Sequence, residues 1–160
     1  MTLCTERGIA HLAHVFGIGM LDAKTVKHFY HSGLVRCPAD IFRVHRHASV
    51  LLAHAGWTPA RAQILLDQID ACRVQPLGAL ILALGTPGMT AVAAQWQADA
   101  FQTYTRWYVE LTALAAFGGP MQARLESQIG APAVFGLLNF FLTPTDVQAL
   151  DLLAKEINIT

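Results

Sequence analysis

Two short strings in this chain could hold an oxyanion by its backbone: Gly17-Ile18-Gly19 followed by Ala23, and Gly56-Trp57-Thr58 followed by Ala62. Glycine lacks the Cβ that resists tight or left-handed turns, so Gly17 and Gly19 let the chain reverse sharply. A helix that starts just after such a turn presents unpaired N–H groups and the positive end of its dipole. Phosphate is a natural occupant of that position. Lys24 and Lys27 after the first turn, and Arg61 after the second, would add positive charge on the early turns of the two helices. A plainer reading also stands, in which the glycines only permit close helix packing and the cations are solvated.

Other reactive residue types form weaker patterns. His11-x-x-His14 and His28-x-x-His31 each place two imidazoles on one helical face, where neighbours can share an ion. Neither pair has the glutamate of a catalytic zinc helix. We therefore expect no metal site and read the pairs as surface histidines beside a phosphate surface. Cys37 precedes Pro38 close to several histidines in sequence, but nothing fixes a nucleophile against a base, so no catalytic residue is assigned. Cys4, Cys37 and Cys72 are odd in number and widely spaced, which predicts reduced thiols rather than a disulfide framework. Trp57 is expected to pack inward. Trp96, Phe101, Tyr104, Trp107 and Tyr108 are read as core or interface packing, and likewise Phe135, Phe140 and Phe141.

The elements that must position these residues are helical. With 54% hydrophobic and 14% charged residues in 160, the chain should bury a substantial core rather than stay disordered. No apolar run is long enough to span a bilayer and no signal-peptide pattern opens the chain, so a cytoplasmic protein without membrane contact is expected. Net charge is zero, but residues 1–75 hold eight Lys/Arg against five Asp/Glu and all seven histidines, while residues 76–160 hold three against six. A polyanion would meet the first half.

Sustained strand alternation is absent, and an all-α chain is predicted. A first helix should start near Thr5, with Ile9, Leu12, Ala13 and Phe16 inward, and a second should run from about Met20 to His31. Pro38 to Phe42 and Ser49 to His54 read as short helical turns. Thr58-Pro59 is a favoured N-cap and first helical position for a helix reaching about Cys72. Pro76, where the charge changes sign, marks the boundary between 1–75 and 76–160. Further helices follow over Leu77–Leu84, Thr90–Ala100, Thr103–Phe117 and Met121–Gln128. The last two run from Ile129-Gly130-Ala131-Pro132 to Phe141 and from Thr143-Pro144 to Glu156, the second start repeating the Thr58-Pro59 cap.

The order of these pieces resembles the helix-hairpin-helix region of bacterial NAD-dependent DNA ligases, especially the shorter, divergent type. Gly33-Leu34-Val35 and Pro38-Ala39-Asp40-Ile41-Phe42 resemble the linker after the family's first hairpin. Gly56 to Ala62, leading into Leu65-Leu66-Asp67-Gln68-Ile69, resembles the second hairpin and its helix. Pro76-Leu77 with Leu82-Ala83-Leu84-Gly85 resembles entry to the third, and Ile129-Gly130 with Phe140-Phe141 the fourth.

That resemblance implies a tandem domain of two helix-hairpin-helix pairs, 1–75 better preserved and basic, 76–160 degenerate and acidic. It also implies sequence-independent binding of duplex DNA. The implied contacts are Gly17, Ile18, Gly19, Lys24, Lys27, Gly56, Thr58 and Arg61, with Gly130 a weaker one. Only the first hairpin keeps both glycines. The family's Lys-x-Asp-Gly adenylation motif, nucleotide loop and four-cysteine zinc site are missing; Cys4 stands alone where the last zinc cysteine would be. No cofactor and no catalysis by the chain alone are expected. A ligase catalytic domain or subunit is a possible partner, the chain being a ligase segment, a split-ligase subunit or a free-standing relative. The alternative is a protein-interaction module that has lost DNA binding, with an apolar aromatic patch exposed in 76–160.

Overall fold

A computed structural model describes residues 3–160 and is all-α apart from one two-residue parallel ladder. The helices are α1 Glu6–Phe16, α2 Ala23–Ser32, α3 Pro38–Ile41, α4 Ala48–Leu52 and α5 Pro59–Ala71, with a 3₁₀ turn at Val44–His47. They continue as α6 Leu77–Ala83, α7 Ala91–Phe101, α8 Tyr104–Phe117, α9 Pro120–Ile129, α10 Ala131–Phe141 and α11 Pro144–Glu156. Cap chemistry sets most starts. The hydroxyls of Thr5, Thr58, Thr90 and Thr103 each accept the N–H three residues on, which satisfies one orphan donor of the first turn. Thr143 breaks the pattern: its hydroxyl donates back to the carbonyl of Asn139, so the Thr-Pro string recurs without the cap hydrogen bond.

The periodicity reading holds for α1, whose buried face is Ile9, Leu12, Ala13 and Phe16; α5 buries Ala62, Leu65 and Ile69, with Leu66 half-buried beside them. Two expectations need correction, and one aromatic reading is resolved between core and surface. The second helix starts at Ala23 rather than Met20, because Asp22 is the residue whose side chain caps it. Phe135 is 68% exposed, on the outer face of α10, while Phe140 and Phe141 are buried. A strand pair exists: β1 Val74–Gln75 lies parallel to β2 Asn158–Ile159, extended by Leu77 N–H to the carbonyl of Thr160 at 3.1 Å.

The cysteine expectation is overturned as well. Cys4 and Cys37 form a disulfide, their Cα atoms 4.3 Å apart, and only Cys72 is a free thiol. The two are distant in sequence but not in space. α1 and α2 form an antiparallel hairpin, so the residue before α1 and the residue beyond α2 return to the same end. Burial raises the Cys72 thiol pKa above its ordinary value, and its S–H donates to the carbonyl of Phe16.

One contiguous apolar cluster runs through both halves of the chain, from Leu3 to Ile157. α6 packs on α7 and on α1, α8 and α9 pack on α10, and α11 packs on α3. His11 takes part in the α1–α6 contact, its Nε2 2.9 Å from the carbonyl of Leu82.

Candidate nucleic-acid interface

The turn at Gly17 is closed by a left-handed residue. Gly17 has φ +82°, its N–H bonds the His14 carbonyl at 3.1 Å, and Ile18 N–H bonds the Ala13 carbonyl at 2.9 Å. This pairing of amides with the last carbonyls of a helix is a Schellman-type cap. It commits the amides of Gly17 and Ile18 to α1, and the side chain of Ile18 is buried. Gly19 differs. Its φ is not positive, a Cβ built on it would find nothing within 4 Å, and its N–H has no acceptor among the described residues.

The amides of Ala23 and Lys24, first in α2, are likewise without an acceptor among the described residues. Thr25 N–H is taken by Asp22 Oδ1 at 2.8 Å. Asp22 thus puts a carboxylate at the N-terminus where an external anion would bind. Hydrogen bonds from Thr25, the backbone amide foremost, hold that carboxyl below its ordinary pKa against the opposing effect of burial, and the charges of Lys24 and Arg61 add lesser lowering effects.

The charge of Arg61 reaches Asp22 across the space between α2 and α5. Three contacts join the first hairpin to α5 and the turn before it: Met20 N–H to Gln68 Oε1 at 2.9 Å and Cys72 Sγ to the Phe16 carbonyl at the C-terminal end of α5, and the Phe29 ring of α2 against Trp57 at 5.3 Å between centroids. Gly56 also has positive φ, and its N–H has no acceptor among the described residues. Thr58 caps α5 through Arg61 N–H. The Arg61 guanidinium folds back over its own turn, 4.1 Å above the Trp57 ring, and donates to the Gly56 carbonyl at 2.8 Å. Trp57 is buried, as expected.

The two turns are not superposable in sequence. α2 begins six residues after Gly17, whereas α5 begins three after Gly56. Ala23 is therefore exposed while Ala62 is buried, and Val26 takes the inward place that Ala62 fills in α5. Lys24 and Lys27 are both exposed on α2. Gly130 lies elsewhere: its N–H is bonded to the Glu126 carbonyl, and Gly88 sits against the backbone of Pro132 and Ala133, covering the start of α10.

A groove of ≈ 920 Å³ runs from the first turn along α1, lined by Gly17, Gly19, Ala23, Arg7, His11 and His14. Glu6 and Asp22 also border it. Arg7 is the residue that sequence reasoning passed over. The signal was its spacing to His11 and His14, which puts all three on the face of α1 that ends at Gly17. The histidine pairs disperse: His11 bonds Leu82, His28 packs edge-on against His54 at 4.9 Å, and His31 pairs with Glu6.

The architecture thus defines an all-α chain in which the first glycine turn opens onto a groove bordered by Arg7, two histidines and the carboxylates of Glu6 and Asp22. Comparison with known proteins narrows this. No protein-family model matches the chain. Over nearly its whole length it is similar to a segment of DNA ligases: 30% identical over 161 aligned positions to the DNA ligase of Gluconobacter oxydans, covering 96% of this chain and 23% of the ligase. The DNA ligase of Gluconacetobacter diazotrophicus is 28% identical over 92% of the chain and 22% of the ligase, and that of Acidiphilium cryptum 30% identical over 98% and 24%. The chain spans about a quarter of the length of these relatives.

Proposed function

We propose that the chain is a sequence-independent duplex-DNA-binding module, a tandem helix-hairpin-helix domain like the corresponding region of an NAD-dependent DNA ligase and non-catalytic alone. In this reading residues 1–75 hold the gripping pair and 76–160 a degenerate second pair. Gly19 carries the argument. The fold gives no visible reason for glycine there, because its φ is not positive and a side chain would meet open space. A missing Cβ matters only to something approaching from outside, and the free amides of Gly19, Ala23 and Lys24 would meet it.

Phosphate oxygens would be held by these amides and by Gly56, with charge from Lys24, Lys27 and Arg61 and the hydroxyl of Thr58 at the second turn. Such contacts fix a protein on a duplex without reading bases. Gly17, Ile18 and Gly130, whose amides are taken by their own helices, shape their turns. The similarity to ligases favours action in the cytoplasm, in repair or replication, beside a ligase catalytic domain or subunit.

Anisotropy titration of a nicked duplex tests the reading. With about three productive cations the salt slope should be near −3 and the affinity roughly micromolar at physiological salt. A Gly19→Val, Lys24→Glu, Arg61→Glu variant should bind about tenfold or more weakly, since it blocks the amides and reverses two charges. Equal binding by variant and wild type, or no binding by either at roughly 50 mM salt, a range in which phosphate contacts are strong, would sink the proposal.

Asp22→Asn is expected to act in the opposite direction. Asparagine is as good an N-cap as aspartate, so α2 should keep its start while losing a carboxylate from the groove. Duplex affinity at low salt should rise about threefold, and by less as salt screens the charge. Because the folded-state pKa of Asp22 is depressed, its cap contribution is present above the ordinary carboxylate value and lost as pH falls through the lowered one. Asparagine should remove that acid sensitivity, which urea titrations at several pH values would read.

The exposed rings of Phe117 and Phe135 favour the second reading, a protein-interaction module. Self-association in sedimentation without any duplex binding would select it.

A further inference from the structure

The Cys4–Cys37 bridge spans 33 positions, and the loop it closes holds all of α1, the Gly17–Asp22 turn and all of α2. The bridge lies at the base of this hairpin and the turn at its tip. Cys4 immediately precedes the cap residue of α1, and Cys37 is the N-cap residue of α3, where the Asp40 carboxylate accepts its N–H. Beyond the bridge, the base carries the buried hydrogen bond from Leu3 N–H to Asp146 and, between α1 and α2 themselves, the Glu6–His31 pair, with His31 exposed and Glu6 half-buried. Exposed ion pairs contribute little. The opposite end is different: Cys72 is buried against Phe16, too enclosed to exchange readily with the bridge. Cys4 is buried but Cys37 is only partly so, which leaves the bridge open to a small reductant on the Cys37 side.

We propose that the Cys4–Cys37 disulfide is a redox latch, closing the first hairpin at its base and so keeping the free amides of Gly19, Ala23 and Lys24 in register for phosphate. The second clause of this proposal rests on the DNA-binding reading above. A dithiol opens the latch: its two S–H groups deliver two electrons and two protons, the S–S bond breaks to two cysteine thiols, and the reductant leaves as a cyclic disulfide. Oxidation by a disulfide reverses the exchange. With the latch open, α1 and α2 keep their apolar faces but splay more easily at the base. The grip then has to be ordered anew each time it binds.

The test uses the full chain. After oxidation with glutathione disulfide, thiol titration in denaturant should find one free thiol, that of Cys72; three would overturn the latch. Dithiothreitol should lower the melting temperature by roughly 10 °C, the loss for reopening a loop of this length in a chain of this size. Nicked-duplex affinity at low salt should fall about fivefold with the salt slope unchanged, because preorganisation is lost while the cations remain. Cys4→Ser with Cys37→Ser should match the reduced protein and ignore the reductant, whereas Cys72→Ala should respond like wild type.

A fall in melting temperature with no change in duplex affinity would reduce the bridge to a static staple and overturn the latch. A redox-sensitive melting temperature with no duplex binding in either state would overturn the DNA reading instead, leaving the clamp on the hairpin intact.

Discussion

Trp107→Ala is expected to destabilise the chain by about 4 kcal/mol, the upper part of the range for emptying a large aromatic site. Trp107 is fully buried in α8, with Phe141 edge-on at 5.3 Å and Tyr104 at 6.1 Å. Its indole N–H donates to Gln97 Oε1 at 3.0 Å, and Gln97, also fully buried, donates in turn to the Ala93 carbonyl. Alanine would remove the ring and orphan a buried amide oxygen, two separate penalties. Trp107→Phe keeps most of the volume and loses the hydrogen bond, so it should cost about 2 kcal/mol. Urea denaturation followed by circular dichroism reads both. A loss under about 1.5 kcal/mol for the alanine variant, well below the range for such truncations, would mean that the ring does not hold α7, α8 and α10 together.

Gly136→Ala should cost about 2 kcal/mol even though alanine favours helix, because overpacking against a rigid neighbour outweighs propensity. A Cβ at Gly136 would stand 2.7 Å from the carbonyl oxygen of Pro87 and 3.2 Å from two further Pro87 atoms. The absence of a side chain is what lets the Gly85–Gly88 turn lie on α10. Gly78→Ala supplies the contrast. There the nearest atom is Gln95 Oε1 at 2.9 Å, the end of a mobile side chain in an exposed residue, so the helix gain should prevail and stability stay level or rise slightly. Thermal melts of the pair would separate the two cases, and similar shifts in both would contradict the account.

Most of the fold was legible because it is written in local chemistry. Thr5, Thr58, Thr90 and Thr103 announce helix starts through hydroxyls that bond three residues ahead, and Pro59 and Pro144 fit first-turn positions. What was not legible depends on contacts across the fold. Periodicity cannot tell that Phe135 faces solvent when Phe140 and Phe141 face the core, because α10 is apolar nearly all round. Nor does spacing reveal that Cys4 and Cys37 meet, or that the chain end pairs with Val74 and Gln75.

The candidate site shows the same division. Glycine and cation positions could be read directly, whereas which amides remain free depends on caps. The place of Asp22 as the cap of α2 emerges only once the start of that helix is known.

The ladder between Val74–Gln75 and Asn158–Ile159 also bears on the order of folding. Each helical hairpin closes short loops, an early and inexpensive event, whereas this pairing joins segments separated by half the chain. Protection of the Asn158 and Thr160 amides, which donate to Arg73 and Gln75, should therefore appear last in a pulse-labelled refolding experiment. Two residues of strand would serve as the clock hand that marks completion of an otherwise helical assembly.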